Sequence, residues 1–258
     1  MPPPDDHVLA AGLAQRAGEL LLALRAGGGD PDILRKAGDR QSHEFLMAEL
    51  ARERPGDAVL SEEGTDDKSR LTADRVWIVD PLDGTREFGE PGRTDWAVHV
   101  ALWSRAAADG TGDLVAGTVA LPGQGRVLST GAPSGGPAAP GVARRPRMVV
   151  SRTRASALVK DVAARVGAEL VPYGSAGAKA ATVITGENDV YLHSGGFYEW
   201  DTAAPVAVAR NRGLHVSRID GSQVRYNEED PLLPDILICR PEMAGLLLTA
   251  IREATDAI

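Results

Sequence analysis

The sequence predicts an α+β half followed by a smaller α/β layer. Three observations support this: helical apolar spacing at the start, glycine-punctuated runs of strand length in the middle, and strand–helix alternation from residue 148 onward. Residues 5–26 set Val8, Leu9, Leu13, Ala17, Leu20, Leu21 and Leu24 at helical spacing, and Gly27-Gly28-Gly29 stops the run. A second helix is expected from Ser42 to Arg52, with Phe45, Leu46 and Leu50 on one face. Val59–Ser61 and Val76–Val79 read as short buried strands. Asp95–Trp103, Leu114–Leu121 and Arg126–Thr130 read as antiparallel strands joined by Gly-rich turns. Ala132–Pro146 is dense in Gly, Pro, Ala and Ser and has no apolar period, so it reads as a linker. Beyond it, strands are expected at 148–151, 169–171, 189–192 and 236–239. Helices are expected at 155–166, 177–185, 202–210 and 242–254.

Composition narrows the function classes. The chain has 258 residues, 43% hydrophobic and 25% charged, enough to bury a sizeable core. A net charge of −8 disfavours general nucleic-acid binding, which needs a basic footprint. The single cysteine, Cys239, permits no intrachain disulfide and fits a reducing cytoplasm. The opening Met-Pro-Pro-Pro-Asp-Asp-His does not read as a secretory signal, and no apolar run approaches the roughly 18–20 residues of a membrane span.

The informative segment is Val76-Trp77-Ile78-Val79-Asp80-Pro81-Leu82-Asp83-Gly84-Thr85. An apolar strand ends in a carboxylate, and Pro81, having no N–H, interrupts pairing. Asp80 and Asp83 flank a turn, and two nearby acids cannot both stay ionised without a counter-charge. A divalent cation supplies one, and oxygen-only ligands favour magnesium, manganese or calcium. If the N–H groups after Asp83 open a helix or a nest they suit an anion, and a hard cation beside an anion-binding turn is the arrangement for phosphoryl chemistry. The same residues also make an ordinary surface turn. Two further segments bear on the choice. Leu60-Ser61-Glu62-Glu63-Gly64 is a strand running into paired acids, or a solvated loop. Glu199-Trp200-Asp201-Thr202-Ala203-Ala204 puts an acid at the start of a helix, where it also serves as a cap. An aspartyl-phosphate nucleophile of the haloacid dehalogenase kind needs one residue between its acids; here there are two. The histidines (His7, His43, His99, His193, His215) show no paired metal spacing and read as surface or core residues.

With these three motifs in order, the chain resembles the inositol monophosphatase superfamily. Within it the chain most resembles the CysQ-type branch, the 3′-phosphoadenosine 5′-phosphate phosphatases. The branch features are Leu60-Ser61-Glu62-Glu63, Asp83-Gly84-Thr85-Arg86-Glu87-Phe88, Val150-Ser151-Arg152, Tyr173-Gly174-Ser175 and Glu199-Trp200-Asp201-Thr202. Inositol-type members more often carry Asn where Glu87 stands. The resemblance implies a layered α-β-α-β-α sandwich. It also implies a lithium-sensitive, magnesium-dependent 3′(2′),5′-bisphosphate nucleotidase, which clears a by-product of sulfate assimilation. Inositol monophosphate or fructose 1,6-bisphosphate is the alternative substrate. A non-catalytic nucleotide-binding regulator is the alternative from another class, and the complete acid set argues against it.

Carried over by position, the resemblance assigns Glu62, Asp80 and the Leu82 carbonyl to one magnesium and Asp80, Asp83 and Asp201 to a second, with Glu62 touching a third. Thr85 and Asp39 would activate the attacking water. Asp39 stands 23 residues before Glu62, ahead of the expected second helix. Gly84, Thr85, Ser151, Arg152, Ser175, Lys179 and Tyr198 are the candidate contacts to a phosphorylated nucleotide. The stretch before Asp39 lacks the threonine of the family's Thr-x-x-Asp pattern, and Phe197-Tyr198 replaces the common Gly-Pro-Thr. The chain divides near residue 143. Residues 1–142 form an α+β domain with most metal ligands, and 143–258 a smaller α/β domain contributing Asp201 and substrate contacts. Family analogy suggests a homodimer, while the acidic charge and the lack of a long apolar run predict no nucleic-acid or membrane partner.

Overall fold

A computed structural model describes residues 5–132, 145–153 and 155–256. The first four residues, most of the expected linker and the boundary near residue 143 lie outside the described residues. Within them, two five-stranded sheets each carry helices on both faces, giving the α-β-α-β-α layering.

Helix α1 (Asp6–Ala26) is capped by Asp5, which accepts the His7 N–H at 2.7 Å. Its buried stripe is Leu9, Leu13, Ala17 and Leu21, as the spacing predicts. Helix α2 (Pro31–Glu53) begins at Pro31 rather than Ser42. Pro31 fits the first turn because no N–H is needed there, and Asp30 accepts from Asp32 and Ile33 at 2.9 and 3.1 Å. The apolar pattern misses this turn because Pro31, Asp32, Ile33 and Lys36 are all exposed. Asp39 therefore lies inside a helix, not ahead of one. Gly38 brings that helix close: a Cβ there would stand 2.8 Å from Phe88 Cε1 and 2.9 Å from Leu82 Cδ2.

The first sheet runs β1 (Ala58–Ser61), β2 (Arg75–Asp83), β3 (Ala97–Ser104), β4 (Asp113–Leu121), β5 (Arg126–Ser129), in that order. β1 and β2 are parallel and the rest antiparallel. A five-residue helix, α3 (Thr85–Gly89), follows β2. Pairing of β2 with β3 slips between Asp80, opposite His99, and Asp83, opposite Ala97. In a regular strand, residues three apart face opposite ways. The extra residue of this bulge turns Asp83 to the side of Asp80.

The second sheet has the order β7-β6-β8-β10-β9. Its strands are β6 (Arg147–Ser151), β7 (Glu169–Tyr173), β8 (Val190–Tyr198), β9 (His215–Ser217) and β10 (Leu232–Cys239), with helices α4 (Ala157–Arg165), α5 (Ala176–Ile184), α6 (Glu199–Asn211) and α7 (Ala244–Thr255) between or after them. β6 pairs parallel with β7 and β8, and β10 pairs antiparallel with β8 and β9. Three elements depart from expectation. β8 continues past Leu192 through Gly195 and Gly196. β10 starts at Leu232 rather than Ile236; Pro234, at an irregular pairing step, hides the alternation of its first residues. β9 is too short to show a period.

Strand periodicity sorts the core into layers. Trp77 and Val79 pack against α1 and α2, while Val76 and Ile78 face α5 and α6. Tyr191 joins the middle core, and Val190 and Leu192 face α4 and α7. Trp77 is fully buried, and its truncation to Ala would cost about 3–5 kcal/mol. Among the described residues no helix is long and apolar enough to cross a membrane.

Candidate active site

The acids converge where β1 and β2 end and α5 and α6 begin. Asp80, Asp83 and Asp201 each present an oxygen within 4.8 Å of the others. Asp80 and Asp83 are buried, at 1% and 6% exposure. Glu62 follows β1 on an exposed turn and brings its carboxyl within hydrogen-bonding range of Asp80. Asp201 is the third residue of α6, and its Oδ2 accepts the Tyr198 N–H at 2.7 Å. The capping function anticipated for Asp201 is thus exercised from inside the helix by a carboxylate that also belongs to the cluster.

Burial, then repulsion from Glu62, Asp83 and Asp201, holds Asp80 well above the ordinary carboxylate range. Burial and the Asp201 charge push Glu62 up to about 7, and burial and Asp83 push Asp201 up to about 6. These acids repel one another on protein alone. An all-oxygen donor set in that condition fits a hard divalent cation.

Asp83 differs. Burial would raise it, but His99, Lys179 and the Gly177 N–H hold it below the ordinary value. Its Oδ1 accepts the Ala176 N–H at 3.0 Å and its Oδ2 the Gly177 N–H at 2.5 Å, so the start of α5 points at it. Gly177 permits this approach, since a Cβ there would collide with His99 Nε2. His99 is fully buried. Its Nε2 lies 3.2 Å from Asp83 Oδ2 and its Nδ1 3.0 Å from the Trp200 carbonyl oxygen. Burial opposes charge on that ring, yet Asp83 holds its pKa above the ordinary value.

Beside the acids sits a hydroxyl–carboxylate pair. Thr85 Oγ1 lies 3.1 Å from Asp39 Oδ1 and 3.2 Å from the Leu82 carbonyl oxygen. Burial lifts Asp39 to about 6, against the pull of the Thr85 hydrogen bond. Leu82 reaches the site through its backbone, as its N–H donates to Asp80 Oδ1 at 3.0 Å.

Glu62, Asp80, Leu82, Asp83, Thr85 and Asp201 line a cavity of about 380 Å³. Gly84, Ser151, Arg152, Ser175 and Lys179, named as candidate substrate contacts, all stand on its wall. Several are already engaged with protein. Ser175 caps α5 by accepting the Ala178 N–H at 3.1 Å. Lys179 Nζ donates to the carbonyls of Gly174 and Ser175. Arg152 donates to Glu87 and Glu90, each at 2.8 Å. Tyr198 stacks on Trp200 with ring centroids 4.7 Å apart and is 45% exposed; the cavity wall carries Phe197 instead. Phe197 stacks on His193, centroids 3.8 Å apart, and both line the cavity.

Sequence reasoning passed over His99, His193, Phe197 and Arg86, all now at or beside the site. One signal was available for His99: it is the lone polar residue within the apolar run Trp96–Trp103. The two aromatic residues gave none, because which side of β8 faces the cavity depends on pairing.

A model of the inositol monophosphatase family matches residues 9–256. The chain is 50% identical over 254 residues to the 3′-phosphoadenosine 5′-phosphate phosphatase of Mycobacterium leprae (strain TN), covering 96% of this chain and 94% of that one. It is 52% identical over 241 residues to the phosphatase of the same name from Mycobacterium tuberculosis (strain CDC 1551 / Oshkosh), covering 92% and 90%. The solved structure of CysQ from Bacteroides thetaiotaomicron superposes with a TM-score of 0.76 at 29% identity, over 91% of this chain and 97% of that one.

Proposed function

The chain belongs to the inositol monophosphatase family, and from that premise we propose a magnesium-dependent phosphomonoesterase that removes the 3′-phosphate of 3′-phosphoadenosine 5′-phosphate, leaving AMP and inorganic phosphate. The observation that carries the chemistry is the set of Asp80, Asp83 and Asp201 oxygens within 4.8 Å of one another. The substrate choice is supported by identity of 50% or more, along most of the chain, to phosphatases named for that nucleotide. The flat Phe197–His193 stack in the cavity suits a base.

Glu62, Asp80 and the Leu82 carbonyl would hold one magnesium; Asp80, Asp83 and Asp201 a second; Glu62 would also touch a third. Bound there, such ions neutralise the phosphate, ease deprotonation of the attacking water and stabilise the leaving oxygen. The chain's own residues supply the proton path. Thr85 Oγ1 donates to Asp39, which would leave its lone pairs to accept from the attacking water. As the water oxygen bonds to phosphorus and the bond to the ribose oxygen breaks, the water proton passes to Thr85. The Thr85 proton passes in turn to Asp39, the departing ribose oxygen takes a proton from solvent water to become the hydroxyl of AMP, and Asp39 returns its proton to solvent. An Asp39 poised at about 6 is ionised and ready at neutral pH. Gly84, Ser151 and Ser175 shape the wall that receives the substrate. The cytoplasm is the proposed setting and a homodimer the proposed assembly, which light scattering of the purified protein tests.

The test is a substrate panel with magnesium. Turnover of 3′-phosphoadenosine 5′-phosphate should exceed that of inositol 1-phosphate and fructose 1,6-bisphosphate, and chelation should abolish it. Faster turnover of either sugar phosphate would overturn the substrate assignment.

A further inference from the structure

A substrate with two phosphates leaves one to be held away from the acids. The protein's net charge of −8 makes a local cation necessary there. Besides His193, whose ring is stacked on Phe197, three basic side chains line the cavity among the described residues: Arg86, Arg152 and Lys179. Two are spoken for. Lys179 is 5% exposed, its Nζ donates to two backbone carbonyls and lies 5.4 Å from the Tyr191 ring centroid, so its ammonium is turned into the first turn of α5. Arg152 carries both Glu87 and Glu90, and a phosphate dianion brought there would meet two carboxylates.

Arg86 stands apart. It is exposed, it directly follows Thr85 on α3, and its contact to the Thr153 hydroxyl is 3.5 Å, at the outer limit of a hydrogen bond. The acid on the same segment that feels its charge, Glu90, is already held by Arg152. That leaves the Arg86 guanidinium fork for a ligand, and its shape matches phosphate oxygens two at a time.

Resting on the function proposed above, we infer that Arg86 binds the second phosphate, the one not hydrolysed, and sets the preference for a bisphosphorylated nucleotide over a monophosphate. Thr85 and Arg86 are adjacent, so the hydrolytic group and the specificity group are fixed by the same turn.

The experiment measures kcat/KM on the full chain with magnesium, for 3′-phosphoadenosine 5′-phosphate and for adenosine 3′-phosphate, in wild type, Arg86→Ala and Arg86→Lys. Arg86→Ala should lower kcat/KM for the bisphosphate by about 10- to 100-fold, mostly through KM. The loss for adenosine 3′-phosphate should be at least about tenfold smaller, and Arg86→Lys should recover most of the deficit. Inhibition by AMP, which keeps the 5′-phosphate, should weaken in parallel. If wild type favours the bisphosphate and Arg86→Ala keeps that preference, the Arg86 assignment fails while the proposed function stands. If wild type shows no preference for the bisphosphate, the underlying substrate reading fails and the Arg86 assignment goes with it.

Discussion

The two ends of β2 both gather acids, and they resolve the problem in opposite ways. At its start, Asp6 accepts from Arg54 and Arg75 at 2.9–3.0 Å, and Asp57 accepts from Arg75 at 3.0 Å and Trp77 Nε1 at 2.9 Å. Burial alone would raise Asp6, but the two guanidiniums hold it below the ordinary value. At its finish, Glu62, Asp80 and Asp201 pair with no arginine among the described residues, and all are pushed up. The first end is an ion network complete in itself, stapling α1 and α2 to the sheet. The second is complete only with a cation from outside. Asp83 marks the border: two backbone N–H groups and His99 keep it low and aimed before any cation arrives. A cluster of acids therefore reads as structure or as site according to the bases within reach.

Substitutions should split the two ends. Asp83→Asn should cut kcat by about 10²- to 10³-fold or more with the fold retained by circular dichroism. Asp57→Asn should leave kcat nearly unchanged and cost about 1–3 kcal/mol in denaturant unfolding, since Arg75 and Trp77 lose an acceptor. Equal kinetic losses at both ends would dissolve the distinction.

Next in size is the proton path. Thr85→Val or Asp39→Asn should lower kcat by about 10²-fold or more, while Thr85→Ser keeps most of it. With Asp39 at about 6, wild-type activity should fall as pH drops through that value, and Asp39→Asn should lose this limb of the pH profile. His99→Leu should raise the magnesium concentration for half-activation about 10- to 100-fold, because the ring orients Asp83 and ties it to the Trp200 carbonyl.

Stability against pH offers the smallest but cleanest contrast. Glu62 and Asp201 have folded values raised to about 7 and about 6, so the folded state binds protons more tightly than the unfolded chain. Their contribution is present below the ordinary carboxylate pKa and lost as pH rises through 6 to 7. Chelator-treated protein should show a falling Tm from pH 5 to 8, and added magnesium should restore it. Asp6 runs the other way: its folded value is lowered, so its contribution is present above the ordinary value and lost as pH falls below it. Asp80→Asn should raise the Tm of the metal-free protein at pH 8, whereas Asp6→Asn should lower it.

What could be read from the chain alone was whatever is written locally. The α1 stripe, the strand ending in Asp80 and the three acid-bearing motifs each lie within a few consecutive residues. What escaped depends on partners far along the chain. The start of α2 was hidden by its exposed first turn, which moved Asp39 from a presumed helix approach into the helix itself. The bulge that turns Asp83 to the side of Asp80 is set by pairing with β3, as is the placement of His99 opposite Asp80. Phe197 rather than Tyr198 faces the cavity because β8 pairs with β10 in one register, where a one-residue slip would exchange them. Arg152 and Lys179, named as candidate phosphate contacts, both line the cavity, but the Glu87 and Glu90 partners of Arg152 come from a distant segment that the local sequence does not reveal.

Anomalous scattering from crystals soaked in manganese tests the central claim most directly. The peaks should lie among the carboxylates of Asp80, Asp83 and Asp201, with none beside Asp6 and Asp57. An empty cluster at saturating manganese, or metal bound at the opposite end of β2, would contradict the account.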